Sequence, residues 1–514
     1  MQEVSELKLK QKKRQPLSFY FLIAVMALLF SPFTGINSMI GMVGDTAIQI
    51  KIGLDDIAAH KLITEEIYSW HQGLVFTAHE SGWYLLLGVM YKVLKLWGVI
   101  LVGVFFVYAT GYTAVKYTFG KAHPFVIAAV LAATPWLNGF PDYNVRPAVT
   151  SIFAMTLLIV TCVEDRKPLL KASVFAFLCF FLGWLQGGIL PLFLAVYVLF
   201  IVIALIFKNY NEVKIMAVGA VAGFVFSLLN PMGIRNYTFG LKQSGATDIW
   251  ANVDEWNPMH FSMLQIVLIL LVFIGFMTND NLRRFDRKAI TRIALLCMFF
   301  IMTCVYKRFV VYYSVAFMLF APEQYESLLK WFISTVIKPK KKVVLSLSNA
   351  FYGILTAVCI VFIIGLGAFN VPRYLPTGTM ADIERMAAYD HGVVDFIRQK
   401  GYSSVFNSFD TGSWLAFNGI KVHIDNRIDP YMSEFSGVDH IRGQMNVTTL
   451  ADLDAFRSRY DNDAFLINTT SGYSHIIYEI ETYASDRYEV VYDNTVGSSI
   501  PGVGDIRWII IECT

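Results

Sequence analysis

The chain has 514 residues, of which 56% are hydrophobic and 16% charged, against roughly 45–50% apolar and about 25% charged in an ordinary soluble domain. That balance excludes a soluble enzyme and implies many membrane spans, since each takes about 20 apolar residues. The net charge of +3 hides an asymmetry: residues from 371 onward sum to about −9 and the apolar remainder to about +12, and neither part has the clustered basic face that would point to nucleic acid.

Residues 1–16 are basic and lead into an apolar run without a small-residue cleavage site, which predicts a retained first span rather than a signal peptide. Apolar runs near 18–40, 97–115, 123–139, 147–163, 169–185, 187–207, 215–231, 261–277, 289–305, 309–326 and 349–370 predict eleven spans. The loops between them alternate in basic content. One set carries Lys12, Lys13 and Arg14, Lys116 and Lys121, Arg166 and Lys167, Lys208 and Lys214, Arg287 and Lys288, and Lys340 and Lys341. Short loops rich in Lys and Arg face the cytoplasm.

The opposite loops are 41–96, 140–146, 184–188, 232–260, the turn Tyr306–Arg308 and everything after 371. They are long, aromatic and poor in lysine, and are expected outside. The spans are nearly free of ionisable groups, unlike those of a pump or transporter, so the working site is expected at the outer surface. Cys162, Cys179, Cys297, Cys304 and Cys359 fall in or beside apolar runs, and with Cys513 they form neither a disulfide framework nor a metal-type spacing.

Residues 371–514 read differently. Short apolar strands at 404–406, 421–424, 464–467, 488–492 and 508–511 alternate with helix patterns at 381–400 and 449–460. This predicts a small extracytoplasmic α/β domain after a membrane module of residues 1–370.

The chemistry-bearing residues come after the first span. Gly44-Asp45-Thr46 is first, then Gly53, Tyr68-Ser69-Trp70-His71, His79-Glu80 and an amphipathic stretch 83–98. Further on lie Arg146-Pro147 opening a span, Asn230-Pro231-Met232-Gly233 closing one, Glu255-Trp256 in an outer loop and Lys307-Arg308 at an outer turn. This order, over roughly residues 18–326, resembles the GT-C glycosyltransferases, multi-span enzymes that take sugars from polyprenyl-phosphate or polyprenyl-diphosphate carriers. The pattern Asn407-Ser408, Gly412, Trp414-Leu415, Asp425-Asn426-Arg427 and Tyr431 is similar to the C-terminal segment of a bacterial subgroup of these proteins. The resemblance implies a mainly α, multi-pass protein of the cytoplasmic membrane with a GT-C architecture. It also implies a polyprenyl-phosphate-linked sugar as donor and a lipid, glycan or protein as acceptor.

Under that resemblance Asp45 is the expected general base, a positioned carboxylate able to take the acceptor proton. Glu80 assists it or orients the acceptor, and His79 donates to a phosphate or a sugar hydroxyl. A lone carboxylate in the position of Asp45 also suits a helix cap. Arg308, then Lys307 and Arg146, with Arg235, are basic groups on the outer side and are expected to bind the donor phosphate, for which a guanidinium fork is well shaped. Glu255, Trp70 and Trp256 are candidates for acceptor or sugar binding. The other aromatics, Tyr68, Trp83, Trp97, Trp136, Tyr143, Trp184 and Trp250, are expected to form an interfacial belt.

No cofactor is expected, the less favoured alternative being a divalent ion between Asp45 and Glu80. Asp425, Arg427, Asp429 and Tyr431 follow an apolar strand and read as a polar site at a strand end or, as favoured, a structural ion-pair turn, and Gly412 has no phosphate-cradling repeat around it. Other readings are a lipid-linked glycan flippase, a ligase or polymerase using a diphosphate-linked oligosaccharide, and a non-catalytic scaffold.

The loop charges place residues 41–96 and 371–514 outside. A cysteine introduced at Ser474 is expected to react with an impermeant thiol reagent on intact cells; labelling only after permeabilisation would reverse the orientation.

Overall fold

The computed structural model describes residues 15–30, 41–137, 145–250, 254–278, 285–337, 348–445, 447–470, 474–484, 486–499 and 504–513. Every one of the eleven apolar runs carries a helix. Before the first loop is α1 (Leu17–Leu29), followed by α2 (Asp45–Ala59), α3 (Ser81–Thr118), α4 (Pro124–Trp136) and α5 (Ala148–Val163). Then come α6 (Pro168–Leu185), α7 (Leu190–Ile206), α8 (Tyr210–Ser227), α9 (Arg235–Gly245), α10 (Met263–Thr278), α11 (Arg287–Val305), α12 (Val310–Phe332) and α13 (Asn349–Tyr374). Among the described residues, five helical stretches are both long and apolar enough to cross a membrane: Ser81–Thr118, Pro168–Leu185, Gly187–Ile206, Arg287–Val305 and Asn349–Tyr374. The protein is a multi-pass membrane protein.

The segment between the first two apolar runs, residues 41–96 and expected outside, is organised by the packing of two helices. Helix α2 packs along the first turns of α3 and runs the same way. Gln49 meets Glu80 and Trp83, and four residues on, Gly53 meets Tyr84 and Gly88. A Cβ on Gly53 would lie 1.9 Å from the Tyr84 carbonyl oxygen, and one on Gly88 would lie 2.3 Å from the Gly53 carbonyl carbon. Only paired glycines allow backbones this close.

Helix α3 is not straight. Lys95, at φ 57° and ψ −147°, divides it into an arm and a span. The kink is fastened from the far end of the chain, where the Gly378 carbonyl accepts the Leu96 N–H at 2.8 Å. The amphipathic stretch leading into the second span is thus an arm set off from that span by a fixed bend.

The C-terminal residues form α14 (Met380–Met386), α15 (His391–Lys400), β1 (Val405–Phe406), α16 (Phe409–Phe417), α17 (Leu450–Tyr460), β2 (Ala464–Asn468), α18 (Ser474–Tyr483), β3 (Tyr488–Val496) and β4 (Ile506–Cys513). The sheet order is β1-β2-β4-β3, with β1 and β2 parallel and the other pairs antiparallel. Phe465 faces Ile511 and Leu466 faces Ile510 across the central pair. The single helix expected at 381–400 is two, broken at Ala388 with φ 55° and restarted by the Asp390 side chain, which accepts from Gly392 N. Helix α17 begins with a capping box of Thr449 and Asp452.

The sheet does not end at β1. Val422 bridges β1 through Val405 and, on its other side, pairs in parallel with Ser69 of the first outer loop. Trp70 N donates to the Val422 carbonyl at 3.2 Å, and Val422 N donates to the Tyr68 carbonyl at 3.0 Å. The outer loop therefore supplies the edge segment of the C-terminal sheet, and α16 packs against α2.

Gly88→Ala is expected to lower thermal stability in detergent by about 1–3 kcal/mol or more, because two backbones must separate. Gly365→Ala, whose added methyl meets open space, is the control. Equal melting of both variants and wild type would show that the α2–α3 contact is not tight.

Candidate functional site

Asp45 sits in the first turn of α2, and Glu80 occupies the N-cap position of α3. Because the two helices run the same way, both acids stand at helix N-termini, where unpaired N–H groups favour negative charge. The segment ahead of α5 brings Arg146 to them. Its guanidinium lies 3.0 Å from Asp45 Oδ2 and 3.6 Å from Glu255 Oε2. Beside Glu255, the ring of Trp256 lies 4.1 Å under the Arg308 guanidinium, and Lys307 N donates to the Asn257 carbonyl at 2.8 Å. Five of the residues singled out in the sequence, Asp45, Arg146, Glu255, Trp256 and Arg308, thus stand together, with Lys307 at the edge.

The carboxylates differ in their partners. Burial pushes the Asp45 carboxyl up; Arg146 opposes this, while the charges of Glu255, Glu80 and Asp425 add to it. A carboxylate with a raised pKa is a better base. Glu80, by contrast, accepts from Gln49 Nε2 at 3.2 Å and lies 3.4 Å from His79 Nε2. Gln49 is held in turn by Trp83 Nε1 at 3.0 Å. These contacts fix the position of Glu80.

His79 is clamped on all sides. Nδ1 meets the Thr77 carbonyl at 2.9 Å, and the ring stacks on Phe239 of α9 with centroids 3.9 Å apart. Burial disfavours its charge, but Glu80 and then Asp429 outweigh that and raise its pKa to about 9. Asp429 belongs to the turn whose pattern suits either a polar site at a strand end or, as favoured, a structural ion pair. It is 4% exposed, its Oδ2 has no hydrogen-bond partner, and burial lifts its pKa to about 7 against the pull of His79 and Arg427.

Other expected residues stand elsewhere. Trp70 donates from Nε1 to the Val405 carbonyl at 3.2 Å and packs 3.8 Å from His71, so its polar edge is used at the joint between outer loop and sheet. Arg235 heads α9, exposed, and makes no ion pair among the described residues. Trp184 donates to the Leu229 carbonyl at 2.7 Å. Tyr143 lies outside the described residues, as do the side chains of Trp136 and Trp250.

The Asp45–Glu80 pair fits a divalent ion poorly, since Arg146 already neutralises one acid while Gln49 and His79 hold the other. Among the described residues no group of three His, Cys, Asp or Glu side chains is arranged for a metal.

Arg427 joins the two halves of the chain. Nη1 and Nη2 meet Glu66 at 2.6 and 2.9 Å, and Nε meets Asp425 Oδ1 at 2.9 Å. Tyr431 donates to Asp425 at 2.8 Å, and the rings of Tyr68 and Phe76 each lie 5.0 Å from the guanidinium. Gly412 serves this turn and not a nucleotide, because a Cβ there would lie 2.0 Å from the Ile424 carbonyl oxygen.

The backbone superimposes on the archaeal oligosaccharyltransferase AglB from Archaeoglobus fulgidus in complex with an inhibitory peptide and a dolichol-phosphate. The TM-score is 0.53 at 9% identity, covering 89% of this chain and 70% of that one. The apo form of the oligosaccharyltransferase from the same organism gives a TM-score of 0.50 at 11% identity with the same coverage. The chain has the GT-C fold. No protein-family model and no curated protein matches the sequence. The fold that the sequence resemblance implies is therefore borne out by this backbone, at identities that show the fold alone.

The raised pKa of His79 makes its contribution to stability fully present below 6.5 and lost as pH rises through about 9. Across that window wild type is expected to lose ~3 kcal/mol more than His79→Gln. Parallel melting curves of the two proteins from pH 6 to 10 would refute a charged His79.

Proposed function

We propose that the protein is an integral membrane glycosyltransferase that moves a sugar from a polyprenyl-phosphate carrier to an acceptor hydroxyl outside the cytoplasm, with inversion at the anomeric carbon. The observation that carries this reading is the convergence of Asp45, Arg146 and Glu255 with the Arg308 guanidinium over Trp256, on a GT-C backbone.

In this proposal Arg146 holds Asp45 through Oδ2, and the other oxygen takes the acceptor proton. The freed acceptor oxygen attacks the anomeric carbon, the bond from that carbon to the phosphate oxygen breaks, and its electron pair leaves with the phosphate. Arg308 receives the phosphate oxygens as their charge grows, a charge-assisted contact that strengthens in the transition state. Glu255, held from the other side of Arg146, and Trp256 bind the sugar or the acceptor. No metal is required for these steps.

A second reading is favoured by the structural neighbours themselves. Both are oligosaccharyltransferases, and one is bound to a dolichol-phosphate and a peptide, which suits a ligase moving a whole lipid-linked glycan. The same residues would act on a diphosphate leaving group.

Single-turnover transfer from a short-chain polyprenyl-phosphate sugar by detergent-purified protein separates the roles. Asp45→Asn is expected to retain donor binding and lose about 10²–10⁴-fold in rate. Arg308→Ala is expected to lose about one to two decades in donor use, and Arg308→Lys less. Wild-type transfer by Asp45→Asn would remove it as base, and unchanged donor kinetics in Arg308→Ala would remove Arg308 from the site.

A further inference from the structure

Three of the nine histidines of the chain meet at the joint between the first outer loop and the C-terminal sheet. His71 Nε2 and His423 Nδ1 are 2.7 Å apart. The His71 ring stacks on His440 with centroids 3.8 Å apart and planes 18° from parallel. His440 Nδ1 meets the Tyr460 hydroxyl at 2.9 Å. His423 is 0% and His440 6% exposed.

The joint they occupy is held by few bonds. Trp70 N to the Val422 carbonyl, Val422 N to the Tyr68 carbonyl, and Ser69 Oγ to the Val422 carbonyl at 2.9 Å join the loop to the sheet. His71 adjoins the first of these residues, and His423 adjoins Val422.

We propose that His71, His423 and His440 are a pH-operated latch, which holds residues 69–71 on the C-terminal sheet when neutral and releases that edge in acid. The His71–His423 bond needs one bare and one protonated nitrogen. A further proton on the accepting ring turns its bare nitrogen into a second donor and breaks the bond, a proton on the donating ring leaves the bond but adds a buried charge, and two stacked imidazoliums repel at van der Waals distance.

The surroundings offer such charge no compensation. From β1 comes Phe406, and from α17 come Phe456, Tyr460 and the cationic Arg459. From the loop comes Trp70. The acid facing the cluster is Asp439, beside His440, and it is already engaged by Arg442, whose backbone N–H meets Oδ1 at 2.7 Å and whose guanidinium meets Oδ2. Burial, then His440 and Arg459, push His71 down to about 3, and burial holds His423 and His440 below the ordinary histidine range. Once released, the rings titrate near 6.5, so acid favours the open state from that pH downward.

Arg427 keeps its charge throughout this range, so Glu66 stays anchored, and releasing the edge also breaks the bonds that Glu66 accepts from Tyr68 N and Ser69 N at 2.8 and 2.9 Å. Residues 69–71 lead into the irregular segment that carries His79 and Glu80 to the head of α3. Acid release therefore loosens the arm on which those residues stand.

Hydrogen exchange of the full-length protein in detergent tests this at the Trp70 and Val422 amides. Each ring gains about tenfold in opening per pH unit below 6.5, so protection, corrected for intrinsic exchange, is expected to fall by up to about a thousandfold between pH 7.5 and 5.5. The Leu466 and Ile510 amides, inside the β2–β4 ladder, are expected to hold. His440→Phe keeps the stack without the charge and is expected to shrink the fall about tenfold. Equal protection of wild type at both pH values overturns the latch, as does a fall in His440→Phe as large as in wild type.

Discussion

The arrangement depends on one buried cation. Arg427, 5% exposed, is held between Glu66, 2% exposed, and Asp425, fully buried, and those two carboxylates come from opposite ends of the chain. Two acids around one guanidinium out of water are stable only if every oxygen and N–H is placed. Here Glu66 also accepts from Tyr68 N and Ser69 N, at 2.8 and 2.9 Å, and Asp425 accepts from Tyr431. The clamp thus fixes the backbone of the outer loop just where it joins the sheet.

The acid cluster is a consequence of that docking. With residues 66–70 pinned, the chain returns through Thr77 and His79 to Glu80 at the head of α3, and the paired glycines 53 and 88 bring α2 and Asp45 alongside. The same turn that supplies Arg427 sets Asp429 beneath His79 and lets Asp425 act on Asp45 from a distance. The C-terminal residues are in this sense part of the floor of the site rather than an appendage to the membrane helices.

Much of this was legible in the sequence, for identifiable reasons. A membrane span requires an uninterrupted apolar run, so every predicted run carries a helix. Asp45, Arg146, Glu255 and Arg308 stood out because charges at the outer ends of spans need a partner, and the structure gives three of them one another. Helix α2 was less visible: Ile48, Ile50 and Ile52 alternate with Gln49 and Lys51 as in a strand, and most of its first turns are buried on every side, which erases a helical stripe. Arg427 with Glu66, and His71 with His423, lie more than 350 residues apart in the chain. No local pattern announces such pairs, and the bond from Trp70 to Val405, 335 residues away, is hidden for the same reason.

The central claim is that the outer loop and the C-terminal sheet are one cooperative unit joined by the buried Arg427. The most direct measurement is a double-mutant cycle of Glu66→Gln and Arg427→Met on the unfolding of the purified protein. Arg427→Met is expected to cost about 3–5 kcal/mol by stranding Glu66 and Asp425, Glu66→Gln less because Asp425 still neutralises Arg427, and the double variant no more than Arg427→Met alone, giving a coupling about the size of the Glu66→Gln cost. Costs that simply add would contradict the account, because they would mean that the two ends of the chain do not meet at this residue.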